Sequence, residues 1–447
     1  MGLRIKWVNF SPPQVIVLGF ALIILFGAVV LMLPVSNNNG EFLPFIDAFF
    51  TSVSATTATG LEVVDTGTSF SWFGQVVIML LIQVGGLGFM TMATLIALVF
   101  KRKISLKERL LLQEAMNQGS MEGIVRLIRR VLFYALAIES AAAVLYAIRF
   151  AFDMPFGRAL YFGVFHAVSL FNNSGFDLFG NYRSMMMYTA DPAVNLITMF
   201  LIVTGGLGFI VLSDLADYRN RRRLTLHSKV VLTMSGLLII SGALVILVFE
   251  FTNKHTLGSL DWSGKLWSAF FQSVAPRTAG AHTLDISSLR QATQFFILIL
   301  MFIGASPSST GGGIKTTTFM ILLGAVVSMI RGRSELVLFR YRLAQERIFK
   351  AVTITMLALF LVISVALILS TTERGTSFLS ILFETTSAFG TVGLSMGITG
   401  DLSTAGKLIL SFTMFTGRLG LLTLAYALGP KKGKQLYRHP EGKMILG

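Results

Sequence analysis

The chain has 447 residues, of which 54% are hydrophobic and 13% are charged, and its mean hydropathy is +0.73. These values exclude an ordinary soluble domain and predict a polytopic protein of the lipid bilayer with no room for a large soluble module. The net charge of +15 does not indicate a nucleic-acid partner, because most lysines and arginines cluster between apolar runs, as they do in cytoplasmic loops. These basic clusters are Arg4–Lys6, Lys101–Arg130, Arg219–Lys229, Arg331–Lys350 and Lys431–Lys443.

Eight apolar runs reach the length of about 20 residues that crosses a bilayer as a helix. They are Val15–Leu33, Phe73–Phe100, Val131–Phe150, Val194–Asp214, Val230–Phe251, Phe295–Met329 (interrupted), Ala351–Ser370 and Leu408–Leu428. An even number of crossings leaves both ends of the chain on one side. The basic residues near both ends therefore predict that the N- and C-termini are cytoplasmic.

Between each odd-numbered run and the next lies a shorter apolar stretch of 15 or 16 residues that ends in glycine. These stretches are Phe45–Gly60, Leu160–Gly175, Leu266–Gly280 and Phe378–Gly393. In three of them a phenylalanine lies ten residues before the glycine and a serine lies six before it, while the third stretch is one residue shorter. Because the stretches are too short to span and recur as copies, they predict four re-entrant helices, each followed by a loop.

A second mark recurs after each of these glycines. It reads Gly85–Gly88, Gly205–Gly208, Gly304–Pro307 and Gly417–Gly420, and it begins 24 to 30 residues downstream. Glycines at such positions favour close packing between membrane helices. We interpret them as packing positions that confirm the register of the repeat.

These patterns predict an all-α membrane protein with eight transmembrane helices in four parallel M1–P-loop–M2 repeats, related by pseudo-fourfold symmetry around one pore. The repeats cover residues 1–100, 101–218, 219–330 and 331–447, the last including the C-terminal tail. Two crossings per repeat make the repeats parallel, whereas the inverted repeats of many alternating-access symporters need an odd number. A membrane enzyme or scaffold would need catalytic or metal-ligand clusters at membrane depth. The five histidines have no close pairing and cysteine is absent, so no catalytic residues are expected.

The loop ends carry the candidate ion-binding residues. A dehydrated cation needs oxygen ligands in place of its water, and glycine permits backbone conformations that point carbonyls at a common axis. We therefore predict a selectivity filter with a cation at the carbonyls of Gly60, Gly175, Gly280 and Gly393. The predicted filter residues are Thr57, Ala58, Thr59, Gly60, Asn172, Asn173, Ser174, Gly175, Arg277, Thr278, Ala279, Gly280, Gly390, Thr391, Val392 and Gly393. The outer segments hold 13 acidic residues against nine basic ones, and we expect some of the acids to concentrate cations at the pore mouth and most to be ordinary solvated loop charges. These acids are Glu41, Asp47, Glu62, Asp65, Asp153, Asp177, Asp191, Glu250, Asp261, Asp285, Glu373, Glu384 and Asp401.

The sixth run is interrupted at residues 304–318 by a proline and three consecutive glycines, which cannot continue an unstrained helix. About fifteen helical residues, or roughly 22 Å, precede Gly304, so the break is expected in the inner half of the membrane. Irregular backbone at that depth must line a cavity or be buried in protein. Lys315 either forms an electrostatic barrier there or snorkels to the cytoplasmic surface. Arg418 either contacts this loop or constricts the pore, or it forms a structural pair with Glu139.

At its four loops the sequence resembles the Trk/Ktr/HKT superfamily of potassium transporters, and the resemblance covers nearly the whole chain. Eight spans without an added N-terminal pair resemble the bacterial Ktr membrane subunits, of the KtrB and KtrD type, more than TrkH. The resemblance implies channel-like potassium uptake across the bacterial plasma membrane, often stimulated by sodium. It also implies a homodimer of two separate pores that is gated by a cytosolic nucleotide-binding ring of the KtrA or KtrC type. This chain itself would hold no cofactor, and the nucleotide would bind to the partner subunit.

The resemblance also assigns residue roles. Serine at the first filter position accompanies sodium preference in plant relatives, so Gly60 implies potassium. The interrupted sixth span is the intramembrane gate of the family, which implies a gating role for Gly304, Ser306, Pro307, Ser308, Ser309, Thr310, Gly311, Gly312, Gly313, Lys315 and Arg418. One departure is the third loop, where Pro276 and Arg277 stand beside the filter; we expect Arg277 to face away and pair with an acid. His166 is expected to be packed or hydrogen-bonded.

Overall fold

The computed structural model describes residues 11–88, 91, 110–113, 124–333 and 335–428. The terminal basic clusters Arg4–Lys6 and Lys431–Lys443, most of Lys101–Arg130 and the end of the predicted span Phe73–Phe100 lie outside the described residues. Within the described ranges the chain is built almost entirely of helices. They are α1 (Pro12–Met32), α2 (Phe45–Thr56), α3 (Trp72–Leu87), α4 (Ile124–Phe150), α5 (Phe156–Phe171), α6 (Pro192–Leu207), α7 (Phe209–Arg221), α8 (Leu226–Glu250), α9 (Trp262–Val274), α10 (Gln291–Phe302), α11 (Thr316–Ile330), α12 (Gln345–Thr372), α13 (Phe378–Gly390), α14 (Thr404–Leu419) and α15 (Leu421–Leu428).

Four of these helices, α1, α4, α8 and α12, are long and apolar enough to cross a membrane. Their sequences are runs of leucine, isoleucine, valine and phenylalanine, and between 28% and 44% of each apolar stretch is buried inside the protein. Two bent helix pairs, α6 with α7 and α14 with α15, would raise the number of crossings to six. The protein is therefore a multi-pass helical membrane protein, in agreement with the composition.

Each long helix is followed by a shorter one of 12 to 16 residues: α2, α5, α9 and α13. Each short helix packs against the long helix before it. The recurring phenylalanines of the sequence motif explain this packing, because they are fully enclosed in all four helices. They are Phe50, Phe165, Phe271 and Phe383, with at most 1% of each residue exposed.

Two predicted spans are wrong as continuous helices. Val194–Asp214 bends by 99° between α6 and α7, and Leu408–Leu428 bends by 96° between α14 and α15. The bends lie at Gly208 and Gly420, whose φ angles of +92° and +81° are far from the helical value near −63°. Gly88, with a φ of +84°, ends α3 at the equivalent place. The last glycine of the second mark is thus a helix terminator, and Gly208 also packs closely on the carbonyl oxygen of Pro307.

The predicted interruption of the sixth span is present. Helices α10 and α11 are separated by residues 303–315, here called the break loop, whose two ends pair at Ile303 and Ile314. After α11 a two-stranded hairpin, β1 (Val337–Leu338) and β2 (Tyr341–Arg342), packs against that helix and leads to α12. The predicted repeat boundary at residue 218 falls inside α7, while the boundary at residue 330 coincides with the end of α11.

One-turn helical segments complete the secondary structure. They occur in the loops that connect the longer helices, on the side of the molecule where the short helices begin. They are Pro34–Ser36, Thr66–Ser69, Met186–Tyr188, Leu257–Ser259 and Ile286–Ser288.

Candidate functional site

The loops that follow α2, α5, α9 and α13 have the same backbone conformation. In each loop the residue two before the final glycine is left-handed, although it is not glycine: Ala58, Asn173, Thr278 and Thr391 have φ angles of 52°, 55°, 72° and 49°. We call these four residues the inner layer. The final glycines Gly60, Gly175, Gly280 and Gly393 also have positive φ, between 68° and 89°. We call them the glycine ring.

The four glycines of the ring lie side by side around a common centre. Each faces the carbonyl oxygen of the residue that precedes the next glycine: Gly60 faces Ser174, Gly175 faces Ala279, Gly280 faces Val392, and Gly393 faces Thr59. A Cβ added to any ring glycine would lie 1.9 to 2.8 Å from that oxygen, which leaves no space for a side chain. The same close contact links each loop to the next and links the fourth loop back to the first, so the four loops form a closed ring.

Backbone hydrogen bonds hold each loop to its short helix. The N–H of the residue before the ring glycine donates to a carbonyl near the helix end, in the pairs Thr59–Ser54, Ser174–Ser169, Ala279–Ala275 and Val392–Ser387, at 2.8 to 3.0 Å. The third pair spans four residues instead of five, which accommodates the shorter third loop. The motif serine adds a side-chain bond, since Ser54 and Ser387 accept the N–H of Gly60 and Gly393 at 3.1 and 3.0 Å.

The first glycine of the second mark packs on the end of the short helix in its own unit. Added Cβ atoms at Gly85, Gly205 and Gly417 would lie 1.8 to 2.0 Å from the carbonyl oxygens of Thr56, Phe171 and Phe389. The interpretation of these three glycines as close packing positions is confirmed. Gly304, at the same place in the third unit, packs instead on Gly312 of the break loop.

Side chains behind the ring hold the second loop. Asn172 donates to the carboxylate of Glu139 at 3.0 Å and to the side-chain oxygen of Gln83 at 2.8 Å, and Gln83 donates to Glu139 at 3.0 Å. Glu139 is therefore occupied by amides from α3 and from the end of α5. In the first loop Thr57 and Thr59 are linked through their hydroxyls at 2.7 Å.

Arg277 is buried, and within the described part of the chain it pairs with no acid. Its guanidinium donates to the hydroxyl and the carbonyl of Ser235 on α8, at 2.8 and 3.5 Å. The expectation that it faces away from the ring agrees with these contacts, whereas the expected acidic partner is wrong. Sequence could not identify Ser235, because the two residues lie 42 positions apart and meet through tertiary packing.

His166 is enclosed among aromatic rings, as expected. Its Nδ1 lies 2.7 Å from the carbonyl oxygen of Phe162, and the rings of Phe150, Phe165 and Phe179 lie within 6.0 Å of it. The residue is completely buried. It stabilises the packing of α5 and does not reach the glycine ring.

A cavity of about 570 Å³ opens on one side of the glycine ring, and we call it the acidic cavity. Its lining includes Glu62, Asp177, Tyr182, His282, Asp285 and Asp401 together with the ring glycines. Burial, helped by the nearby charge of Asp65, raises the pKa of Asp177 to about 7, although backbone N–H groups donate to this carboxylate. Burial likewise raises the pKa of Glu62 well above its usual value, and the charges of Asp177 and Asp65 add to the effect.

The break loop lies against the opposite side of the ring. Its N–H groups at Ser306 and Thr310 donate to the carbonyls of Gly206 and Gly205 at 3.0 and 3.3 Å. In return Ser308 accepts the N–H of Phe209 at 2.8 Å. The bend at Gly208 therefore provides the surface on which the loop rests.

The tip of the break loop touches the inner layer. The N–H of Gly312 donates to the hydroxyl of Thr391 at 2.9 Å. A Cβ added to Gly311 would lie 2.0 Å from the hydroxyl oxygen of Thr278. The loop thus fills the space directly next to the inner layer.

Two cations hold the break loop. The ammonium of Lys315 folds back onto the carbonyls of Gly311 and Gly312, at 2.6 and 3.2 Å. The guanidinium of Arg418 donates to the carbonyl of Thr310 and to the carbonyls of Gly85 and Gly86 on α3. Arg418 therefore contacts the loop, whereas Glu139 bonds to amides elsewhere. A second cavity of about 330 Å³ lies on this side and is lined by Lys315, Lys350 and Arg418 among others; we call it the basic cavity.

The arrangement provides neutral oxygens for a cation. Among the described residues no group of three or more histidines, aspartates or glutamates is placed to hold a metal ion. Carbonyl oxygens line the ring instead, and the short helices direct their partly negative C-terminal ends toward it. Such a set of neutral oxygens suits a monovalent cation.

Comparisons with known proteins identify the family. A family model described as a cation transport protein, TrkH, matches residues 16–430. The chain is 46% identical over 443 residues to the Ktr system potassium uptake protein B of Bacillus subtilis, covering 99% of this chain and 98% of that protein. It is 38% identical over 444 residues to the potassium/sodium uptake protein NtpJ of Enterococcus hirae, covering 98% of each.

The solved structures give the same fold. The crystal structure of the potassium transporter TrkH from Vibrio parahaemolyticus matches with a TM-score of 0.75 and 20% sequence identity, covering 96% of this chain and 87% of that one. The resemblance stated from the four loops is confirmed by the family match and by these relatives. The chain belongs to the TrkH family of cation transport proteins.

Proposed function

We propose that this chain is the pore of a potassium uptake system and conducts ions through the glycine ring. The proposal rests on one observation: each ring glycine faces a carbonyl oxygen of the next loop, and these contacts close into a ring. Peptide oxygens in a ring replace the hydration shell of a potassium ion. Glycine is required there because the chain is left-handed and a side chain would strike the neighbouring carbonyl.

The four-repeat architecture is part of this proposal. Three observations support four parallel M1–P-loop–M2 repeats around one pore. The four loops have the same backbone conformation, each has an equivalent backbone hydrogen bond to its short helix, and three have an equivalent packing glycine. In this arrangement α3, the α6–α7 pair, the α10–α11 pair and the α14–α15 pair are the second helices of the repeats. All four are bent, broken or ended at the inner side of the ring.

Potassium is the proposed transported ion, and sodium is a possible second one. Two relatives are named as a Ktr system potassium uptake protein and as a potassium/sodium uptake protein. Gly60 at the first filter position supports potassium preference, since glycine keeps all four carbonyl positions equivalent. The acidic cavity would face outward and attract cations to the ring.

The break loop is the proposed gate. Its contacts with the inner layer, Lys315 and Arg418 support a loop that obstructs the pathway below the ring. Lys315 and Arg418 place positive charge beside the path while they hold the loop closed. The folded-back position of Lys315 favours the barrier over snorkelling, because its ammonium bonds to the loop and not to the surface.

We further propose that the chain works as a homodimer in the bacterial plasma membrane, with cytoplasmic termini. Its gate would respond to a cytosolic nucleotide-binding ring of the KtrA or KtrC type, with sodium as a stimulating ion. The name of the Bacillus subtilis relative, which refers to a Ktr system, supports a partner subunit. The chain would bind no nucleotide itself.

Ion flux into liposomes tests the proposal. The purified chain should carry potassium and rubidium at similar rates and sodium more slowly, without a fixed stoichiometry between ions. An alternating-access symporter would instead show saturating flux in which one ion requires the other. Empty liposomes measure the leak, and potassium flux at the level of that leak would contradict the proposal.

External pH should modulate the flux through Asp177. Its pKa near 7 means that protonation below neutral pH removes a negative charge from the acidic cavity, so flux falls as external pH decreases. We expect roughly a threefold rise between about pH 6 and pH 8 at subsaturating potassium, because cation attraction grows with negative charge at the mouth. Asp177→Asn should flatten this profile, because it removes the titrating group and also removes one of the charges that raise the pKa of Glu62.

A matched control is Asp285→Asn in the same cavity. Hydrogen bonds from Ser288 and Ser287 outweigh burial and lower the pKa of Asp285, so it remains ionised throughout this pH range. Its removal should lower flux at all pH values without changing the slope. An unchanged slope in Asp177→Asn would rule out the assignment to Asp177.

A further inference from the structure

A side-chain hydrogen bond links the break loop to the inner layer at Thr391. The hydroxyl of Thr391 accepts the N–H of Gly312 at 2.9 Å, and both residues are buried. A Cβ added to Gly312 would lie 2.5 Å from that hydroxyl oxygen and 2.8 Å from the threonine methyl carbon. The amide and the side chain are therefore in tight contact, with no space for a bridging water between them.

Thr391 also determines the conformation of the fourth loop. Its φ of +49° is an uncommon, costly conformation for a β-branched residue and requires surrounding contacts that hold it. The next residue, Val392, directs its carbonyl oxygen toward Gly280 of the ring. A change in the backbone at Thr391 would therefore move a ring oxygen.

The equivalent residues of the inner layer have other partners. Ala58 has no polar side-chain atom, while Asn173 and Thr278 bond to each other at 3.0 Å. Within the inner layer, Thr391 is the residue whose side chain bonds to the backbone of the break loop. In the fourth loop, the residue whose hydroxyl holds the break loop is thus also the residue next to a carbonyl of the glycine ring.

We propose that Thr391 couples the gate to the filter: its hydroxyl holds the closed break loop through Gly312 and at the same time fixes the carbonyl ring. This inference rests on the proposed function and deepens it. When the loop moves away, the hydroxyl loses its partner and the fourth loop relaxes, so gate position and ion discrimination change together. Coupling of this kind is reciprocal, so an ion in the ring also changes the docking of the break loop.

Removing the hydroxyl tests the coupling. Thr391→Val keeps the volume and the β-branch but leaves the N–H of Gly312 without its acceptor. Loss of one buried hydrogen bond corresponds to about a tenfold shift in the docking equilibrium. We expect about tenfold higher potassium flux from the full chain in liposomes without a partner subunit, together with a lower ratio of potassium to sodium flux. Thr391→Ser, which keeps the hydroxyl, should return both values toward wild type.

The control is Thr385→Val in α13, the short helix that precedes the fourth loop. Thr385 is also buried, but its hydroxyl donates to Ile381 of its own helix and does not reach the break loop. Its flux and its ion ratio should match wild type. This variant separates the loss of any buried hydroxyl in α13 from the loss of the contact with Gly312.

Gly312→Ala provides a second route if Thr391→Val does not fold. Its added Cβ would push the loop off Thr391 from the other side, so it should reproduce both changes, and the double variant should be no stronger than either single one. A rise in flux with an unchanged ion ratio, or a changed ratio with unchanged flux, would overturn the coupling. Absence of potassium flux in wild type would instead contradict the proposed function.

Discussion

Gly60→Ala is expected to reduce potassium flux at least about 100-fold, the largest effect that a single methyl group should have in this chain. A Cβ at this position would lie 1.9 Å from the carbonyl oxygen of Ser174, which is backbone and cannot rotate away. The oxygen must move, and it belongs to the ring that is proposed to replace the hydration shell. The φ of +87° adds a cost of about 1–2 kcal/mol for any residue with a Cβ. Potassium flux in liposomes, normalised to the amount of folded protein, measures the result.

Gly375→Ala is the matched control. Gly375 has nearly the same φ, +88°, in the loop between α12 and α13, but an added Cβ there would meet nothing within 4 Å. Both variants incur the cost of a positive φ at a residue with a Cβ, but only Gly60→Ala places that Cβ against a carbonyl oxygen of the ring. If both variants lose flux equally, the defect is in folding. If Gly60→Ala conducts at the wild-type level, the carbonyl ring is not the path of the ion.

The glycine ring could be predicted from sequence because the same requirement recurs in each of the four loops. A left-handed backbone beside a neighbouring carbonyl admits glycine alone, so the same residue recurs at four positions with a phenylalanine and a serine at fixed distances in three of them. Each part of this motif now has a physical role. Phe50 and its equivalents anchor the short helix in the core, and Ser54 and Ser387 bond to the N–H of the ring glycine.

The bends of the second helices were missed because one motif contains glycines with two roles. In Gly205–Gly208 the first glycine packs on α5, whereas the last has a positive φ and ends the helix. Packing glycines are common in membrane helices, so the motif as a whole predicts packing positions. The available signal was the recurrence of the last glycine at the same place in three units, which packing alone does not require.

Partners of buried cations depend on tertiary packing and could not be derived from sequence. Arg277 was expected to meet an acid, yet a buried guanidinium needs hydrogen-bond acceptors, and Ser235 supplies them. Arg418 illustrates the same rule, since its contacts with Thr310, Gly85 and Gly86 are all to carbonyl oxygens. Sequence separations of 42 to 333 residues keep such pairs out of any local pattern.

Deletion of Gly311–Gly313 is expected to raise potassium flux about tenfold or more in the absence of a partner subunit. The deletion removes the amide that bonds to Thr391 and the carbonyls that Lys315 holds, so the loop can no longer lie against the inner layer. Each lost hydrogen bond to a charged group corresponds to about 1.5–3 kcal/mol of docking free energy. Uptake in cells that lack other potassium transporters, measured together with expression, reports the change.

A higher flux could also come from a damaged protein that leaks, and the double variant with Gly60→Ala separates the two causes. If the deletion opens the gate, its extra ions still cross the glycine ring, so the added alanine should abolish the increase. A leak around the pore would persist in the double variant, and it would pass sodium as readily as potassium. Flux that stays unchanged or falls after the deletion, with normal expression, would mean that the break loop supports the ring and does not obstruct the path. The two outcomes differ because the proposed pathway crosses the ring and the loop in series, so a block at the ring must dominate an opening at the loop.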